Sequence, residues 1–192
     1  MAAHIIAFNR GDGQDVVVAS TGTDNTISLG GGINYANLTM RKSGRDLILD
    51  TGDSEQITLQ NWYKGTTNHS VLNLQVVLDS TSYNPASSDT LLNHQVQTFD
   101  FTTLVNNFDQ ALAANPTLTA WSVTDALLTA HLSGSDSAAL GGDLAYQYNL
   151  NNSLAGMGLA SAQTVINDAN FGTTAQTLRP LSGLQSGAVR LA

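Results

Sequence analysis

Three short segments place glycine and aspartate at spacings that could hold a hard cation. Gly13-Gln14-Asp15 recurs nine residues later as Gly22-Thr23-Asp24, and each is followed by three residues of strand character. A further nine residues reach Gly31-Gly32-Ile33, where glycine stays in register and isoleucine replaces the aspartate. Gly44-Arg45-Asp46, followed by Leu47-Ile48-Leu49, repeats the unit out of phase. Glycine lets a turn adopt backbone angles closed to other residues and aim its carbonyls at one point. Aspartate adds a short charged oxygen donor, and Ca²⁺ takes six or more such ligands.

The pattern matches the nonapeptide Gly-Gly-x-Gly-x-Asp-x-aliphatic-x of parallel β-rolls, in which six turn residues precede three strand residues. Two units make one coil, so turns on one side lie eighteen residues apart. Arg10–Asp15 lies eighteen residues before Ser28–Ile33, which predicts that carbonyls of Gly30, Gly31 and Gly32 face Asp15. Arg10 stands where the first glycine of its unit belongs. Gly-x-Asp is also ordinary turn chemistry between strands, and two copies in register fit that plainer reading as well.

The elements that must position these residues change character near residue 90. Residues 5–79 hold short β-branched runs at Val16–Val18, Asn25–Leu29, Asn37–Met40, Leu47–Leu49, Ile57–Tyr63 and Val71–Leu78, separated by Gly, Asp, Asn or Ser. After the polar stretch Asp79–Asp89 the period becomes helical. Phe101, Leu104, Val105, Phe108 and Leu112 form one stripe behind an Asp100 cap, and Pro116 ends it. Ser122 and Asp125 open a second predicted helix that Gly134 would close. Further helices are expected over Asp136–Tyr148 and Ala160–Asn167. The expected fold class is α+β: an all-β, β-roll-like region over residues 1–92, then a compact α-helical region over residues 93–192.

Charge and composition exclude several functions. The 192 residues carry seven Lys+Arg against fifteen Asp+Glu, a net charge of −8, so no basic stripe exists for nucleic acid or an anionic membrane. Glu55 is the sole glutamate among those fifteen acids. No apolar run reaches the roughly 18–20 residues that span a bilayer. Without cysteine there is no disulfide, thiolate nucleophile or Cys-based zinc site. His4, His69, His94 and His131 are scattered without a zinc-binding spacing, and no Gly-x-Ser-x-Gly elbow is present. Gly156–Ser161 imitates a dinucleotide loop but follows no strand.

The segments "FNRGDGQDVVV", "DNTISLGGGI", "NLTMRKSGRDLIL" and "EQITLQNWY", in that order, closely resemble the haemolysin-type calcium-binding related domain of RTX proteins over residues 5–78. The helical half more loosely resembles the C-terminal region of large RTX proteins. The resemblance implies an extracellular or cell-surface, Ca²⁺-dependent module exported by type I secretion machinery and attached to an upstream part of a parent RTX protein. Its metal positions carry over to Asp12, Asp15, Asp24 and Asp46. It also implies an uncleaved export signal in the last ~50 residues, a placement that no spacing in the chain supplies. The absent cysteines suit such an export route.

We therefore expect a non-catalytic calcium-binding module that couples ion binding to folding. An adhesin or ligand-binding module is the alternative, with Trp62 and Tyr63 as a candidate stacking patch, though a core aromatic at a strand end explains them better. A homodimeric aspartic protease built on Asp50-Thr51-Gly52 is a remoter one, because no partner motif follows.

Overall fold

A computed structural model describes residues 4–19, 25–136 and 177–178. In chain order the elements are β1 (His4–Asn9), β2 (Gln14–Val17), β3 (Asn25–Gly30), β4 (Thr39–Ser43), β5 (Asp46–Gly52), β6 (Glu55–Leu59), β7 (Val71–Val77), β8 (Val96–Asp100), α1 (Phe101–Ala114), β9 (Trp121–Ser122), α2 (Leu127–Ala130), β10 (His131–Ser135) and β11 (Thr177–Leu178). The strands form two mixed sheets, ordered β10-β8-β7-β3-β1-β11 and β2-β6-β5-β4-β9.

One coil of the chain is a parallel solenoid. β1 crosses to β2 in the second sheet and returns as β3, which lies parallel to β1 with Ile5 opposite Thr26. β7 then pairs parallel with β3, and β6 parallel with β2. The coil therefore spans 21 residues, from 5 to 26, and not the eighteen of the nonapeptide count. Between these parallel strands β4, β5 and β6 form an antiparallel meander, and β8 and β10 close the first sheet antiparallel.

Two tight turns set the meander's register. Gly44 has φ +59° at the first central position of the β4–β5 loop, where two-residue hairpins favour glycine. The β5–β6 loop has positive φ at both central residues, Asp53 (+53°) and Ser54 (+66°), which is costly outside glycine and needs outside support.

The core lies between the sheets. Phe8, Ile27, Leu29, Leu74, Val76 and Phe99 of the first sheet join Met40, Leu47, Leu49, Ile57 and Leu59 of the second in one buried cluster. Ile33, which replaces the aspartate of the third glycine unit, is part of that cluster at 1% exposure. Burying each such side chain contributes on the order of 1.5–3 kcal/mol, enough to exclude an aspartate there.

The helical C-terminal region expected from the sequence is overturned. The described residues after 92 hold two short helices among strands. α1 follows the predicted stripe: Asp100 Oδ1 accepts from Thr103 N at 3.0 Å, and Phe101, Leu104, Val105 and Phe108 are buried. Ser122 does cap a turn, accepting from Thr124 N, but the turn is 3₁₀ and α2 lasts four residues. His131–Ser135 then pairs antiparallel with β8. The segment His-Leu-Ser-Gly-Ser has poor helix propensity, and tertiary pairing with the exposed strand wins. The predicted helices at 136–148 and 160–167, the glycine loop at 156–161 and the export signal lie outside the described residues.

Candidate functional site

The β1–β2 turn carries two of the predicted metal ligands. Asp12 Oδ2 accepts from Asn9 N at 2.7 Å, and Asp12 N donates to Asn9 O at 3.0 Å, so this carboxylate folds back on its own turn. Gly11 (φ +98°) and Gly13 (φ +80°) supply backbone angles that the turn requires. Asp15 follows in β2, opposite Ile57 of β6, and is solvent-exposed. Partial burial and the neighbouring Asp12 carboxylate both raise the Asp15 pKa above its usual value. Asp12 and Asp15 thus form a repelling pair beside β2.

β2 is the outer strand of its sheet. Among the described residues it pairs with β6 alone, and Val16 (60% exposed) and Val18 (65%) lie open beside it.

The other predicted ligands are elsewhere. Asn9 lies opposite Gly30, so the 21-residue coil does not keep the eighteen-residue register that would set Gly30–Gly32 against Asp15. Gly30 O is already engaged by Ile33 N at 3.3 Å. Asp46 Oδ1 accepts from Asn61 N at 2.7 Å, capping a left-handed residue (φ +58°) at the far end of β6. Asp24 lies outside the described residues. No group of three or more His, Asp or Glu able to hold a metal occurs among the described residues. The fit to Ca²⁺ is therefore partial: two carboxylates at an open sheet edge, short of the six oxygens the ion prefers.

A second cluster escaped the sequence reading. Arg10 reaches from the β1–β2 turn to Thr51 O (2.9 Å), Glu55 Oε2 (3.0 Å) and Asn37 Oδ1 (3.2 Å), with Asp53 Oδ2 at 3.3 Å. Gly11 N donates to Glu55 Oε1 at 2.6 Å. Glu55 is 8% exposed because it shares the inward face of β6 with Ile57 and Leu59. That period-two pattern, Glu55-x-Ile57-x-Leu59, was the signal that could have found it.

The remaining chemistry-bearing residues are each tied up. Asp50 Oδ2 accepts from Arg41 Nε at 2.9 Å, and Arg41 Nη2 also donates to Gln56 at 2.6 Å, so Asp50 has a cationic partner where a protease carboxylate would share a proton with a second acid. Trp62 is buried at 3% exposure and stacks on His69 at 4.2 Å. Tyr63 donates to Asp109 Oδ1 at 2.8 Å and lies under Lys42; burial and Asp109 raise its pKa. His94 Nδ1 sits 3.0 Å from Asp136 Oδ2, and His131 Nε2 sits 2.7 Å from Gln97 Oε1. Asp136 is held below the usual carboxylate range by the Gln95 backbone N–H and by His94.

No family model, curated protein or solved structure matches this chain. No helix among the described residues is long and apolar enough to cross a membrane.

Proposed function

We propose that this chain is a non-catalytic module that closes the end of a secreted β-roll protein and links Ca²⁺ to its own folding. The observation that carries this reading is the position of Asp12 and Asp15 beside the edge of β2 that is open among the described residues, on the first coil of a parallel solenoid. Among the described residues β6 and β7 continue the parallel pairing of that coil, and β4, β5, β8 and β10 then pair antiparallel, which interrupts a parallel stack. The partner in this reading is the upstream part of a parent RTX protein, meeting the edge of β2 that is open among the described residues; the matching side of β1 is paired with β11.

Ca²⁺ supplies charge neutralisation when bound. Asp12 and Asp15 would hold it, and a turn outside this chain would have to complete the oxygen set. In low Ca²⁺ the two carboxylates repel, and a bound ion would remove that cost outside the cell after type I secretion.

The test is thermal unfolding of the full chain in EGTA and in millimolar Ca²⁺. A rise of about 5–10 °C is expected, from roughly 2.7 kcal/mol at a hundredfold excess over Kd. Identical midpoints and identical circular dichroism in the two buffers would sink the reading.

A further inference from the structure

We propose that Arg10 is a resident cation: its guanidinium occupies an oxygen cage that becomes a divalent-cation site when the arginine is removed. This stands apart from the Asp12–Asp15 pair and does not rest on it.

The cage oxygens come from two separate segments, and its occupant from a third. The carbonyl of Thr51 and the carboxylates of Asp53 and Glu55 come from the β5–β6 hairpin, the amide oxygen of Asn37 comes from the 3₁₀ turn Tyr35–Asn37 after β3, and Arg10 enters from the β1–β2 turn. Four oxygens from these groups lie 2.9–3.3 Å from the two terminal guanidinium nitrogens. One carbonyl, one amide and two carboxylates are the mixed hard-oxygen set that Ca²⁺ sites use. The second oxygen of Glu55 is fixed by Gly11 N, and Asn37 Oδ1 is held by Asn34 N at 3.0 Å, so two of the four donors are oriented by backbone independently of Arg10.

A glycine at position 10 would leave the buried Glu55 carboxylate without its cation. The β5–β6 hairpin and the Tyr35–Asn37 turn converge on one charge from the β1–β2 turn, which is the cross-link a metal ion makes. With an arginine the link is permanent and insensitive to ion concentration, because the guanidinium stays charged at all relevant pH. The two strained residues of the β5–β6 loop, Asp53 and Ser54, are held by the same link and by Gln14 Nε2 donating to Ser54 O at 3.3 Å.

The experiment uses the full chain carrying Asp15→Asn, in which the calcium response proposed above is removed. Arg10→Ala, Arg10→Met and Arg10→Lys are added to it, and unfolding midpoints are read in EGTA, in millimolar Ca²⁺ and in millimolar Mg²⁺. Arg10→Ala is expected to lower the EGTA midpoint by about 6–10 °C and to regain about half of that loss with Ca²⁺. Arg10→Met is expected to fall as far and regain nothing, because its side chain still fills the cage. Arg10→Lys is expected to retain part of the stability as a point charge, with no calcium response. Titration calorimetry of the Arg10→Ala chain should show Ca²⁺ binding absent from its Arg10 parent. An Arg10→Ala chain that stays unfolded in Ca²⁺, that folds without responding to it, or that responds no more than Arg10→Met overturns the proposal. A calcium response in wild type that survives Asp15→Asn would count against the Asp12–Asp15 reading and leave this comparison intact.

Discussion

Arg10 Nη1 lies 3.0 Å from Glu55 Oε2, while the next residue's backbone, Gly11 N, donates to Glu55 Oε1 at 2.6 Å. The only glutamate of the chain is thereby bound through both oxygens to one turn, 44 and 45 residues away in sequence. It is the one acid of the described residues on an inward strand position that is buried, at 8% exposure. Aspartate could not replace it without losing one methylene of reach from the same backbone position.

Glu55→Ala should therefore be among the more damaging single changes. It leaves Gly11 N without its acceptor and removes the buried partner of Arg10, a cost of about 2–3 kcal/mol. Glu55→Gln keeps one acceptor but sets its amide N–H against the other donor, Gly11 N or Arg10 Nη1, so it should recover only a small part of that cost. Urea unfolding of both variants at neutral pH checks this; a Glu55→Gln chain as stable as wild type would show that the second acceptor oxygen is not needed.

Asp15 has the opposite sign. Its pKa is raised by burial and by Asp12, so the folded state takes up a proton more readily than the unfolded chain. Its contribution is fully present below the unfolded value of about 4 and is lost as pH rises through the folded value. Asp15→Asn should raise the midpoint in EGTA at pH 7 by about 1–2 °C, a small effect because the carboxylate is exposed. That gain should vanish near pH 4 and in millimolar Ca²⁺. A melting series from pH 4 to pH 8, with and without EGTA, reads all of this; destabilisation by Asp15→Asn at pH 7 would contradict the repulsion.

Asp46 separates structural from metal-binding aspartates. Its carboxylate caps Asn61 N at 2.7 Å, so Asp46→Ala should cost about 1 kcal/mol. The Ca²⁺-induced shift should be unchanged, since Asp46 begins β5 and the proposed pair lies beside β2. Loss of the shift in Asp46→Ala would return this residue to the ion's ligands.

Gly134 tests the strand that replaced a predicted helix end. A Cβ there would sit 2.7 Å from His94 Cδ2 and 2.9 Å from His94 Cβ. Gly134→Ala should cost about 1–3 kcal/mol by overpacking and disturb the His94–Asp136 contact. His94→Ala in the same chain should recover part of that loss, because it removes the closest atom. Additive losses in the two variants would place Gly134 away from His94.

The amphipathic stripe of α1, its Asp100 cap and the β-branched runs were legible because each depends on neighbours within a few residues. Trp62 as a core aromatic was legible for the same reason. The glycine unit was legible as a turn, and the parallel return of β3 on β1 follows its solenoid logic. Its period was not legible, because the coil length is set by how β1 and β3 pair, and that pairing places Asn9 against Gly30. Three residues of slip set Gly30 opposite Asn9 and took it out of the register predicted with Asp15.

Sequence alone thus determined the local chemistry: an acidic, cysteine-free chain of short strands, glycine turns and one capped amphipathic helix. Tertiary structure decided which acids meet which partners. Asp46 went to a backbone cap, Asp50 to Arg41, Glu55 to Arg10, and Asp15 to an open edge beside Asp12. His131–Ser135 became a strand because β8 offered it an edge, against what its own capping signals predicted. The reason is common to all of these: propensity and period act over one or two turns of chain, whereas register, edge pairing and the burial of a charge depend on contacts 40 or so residues apart.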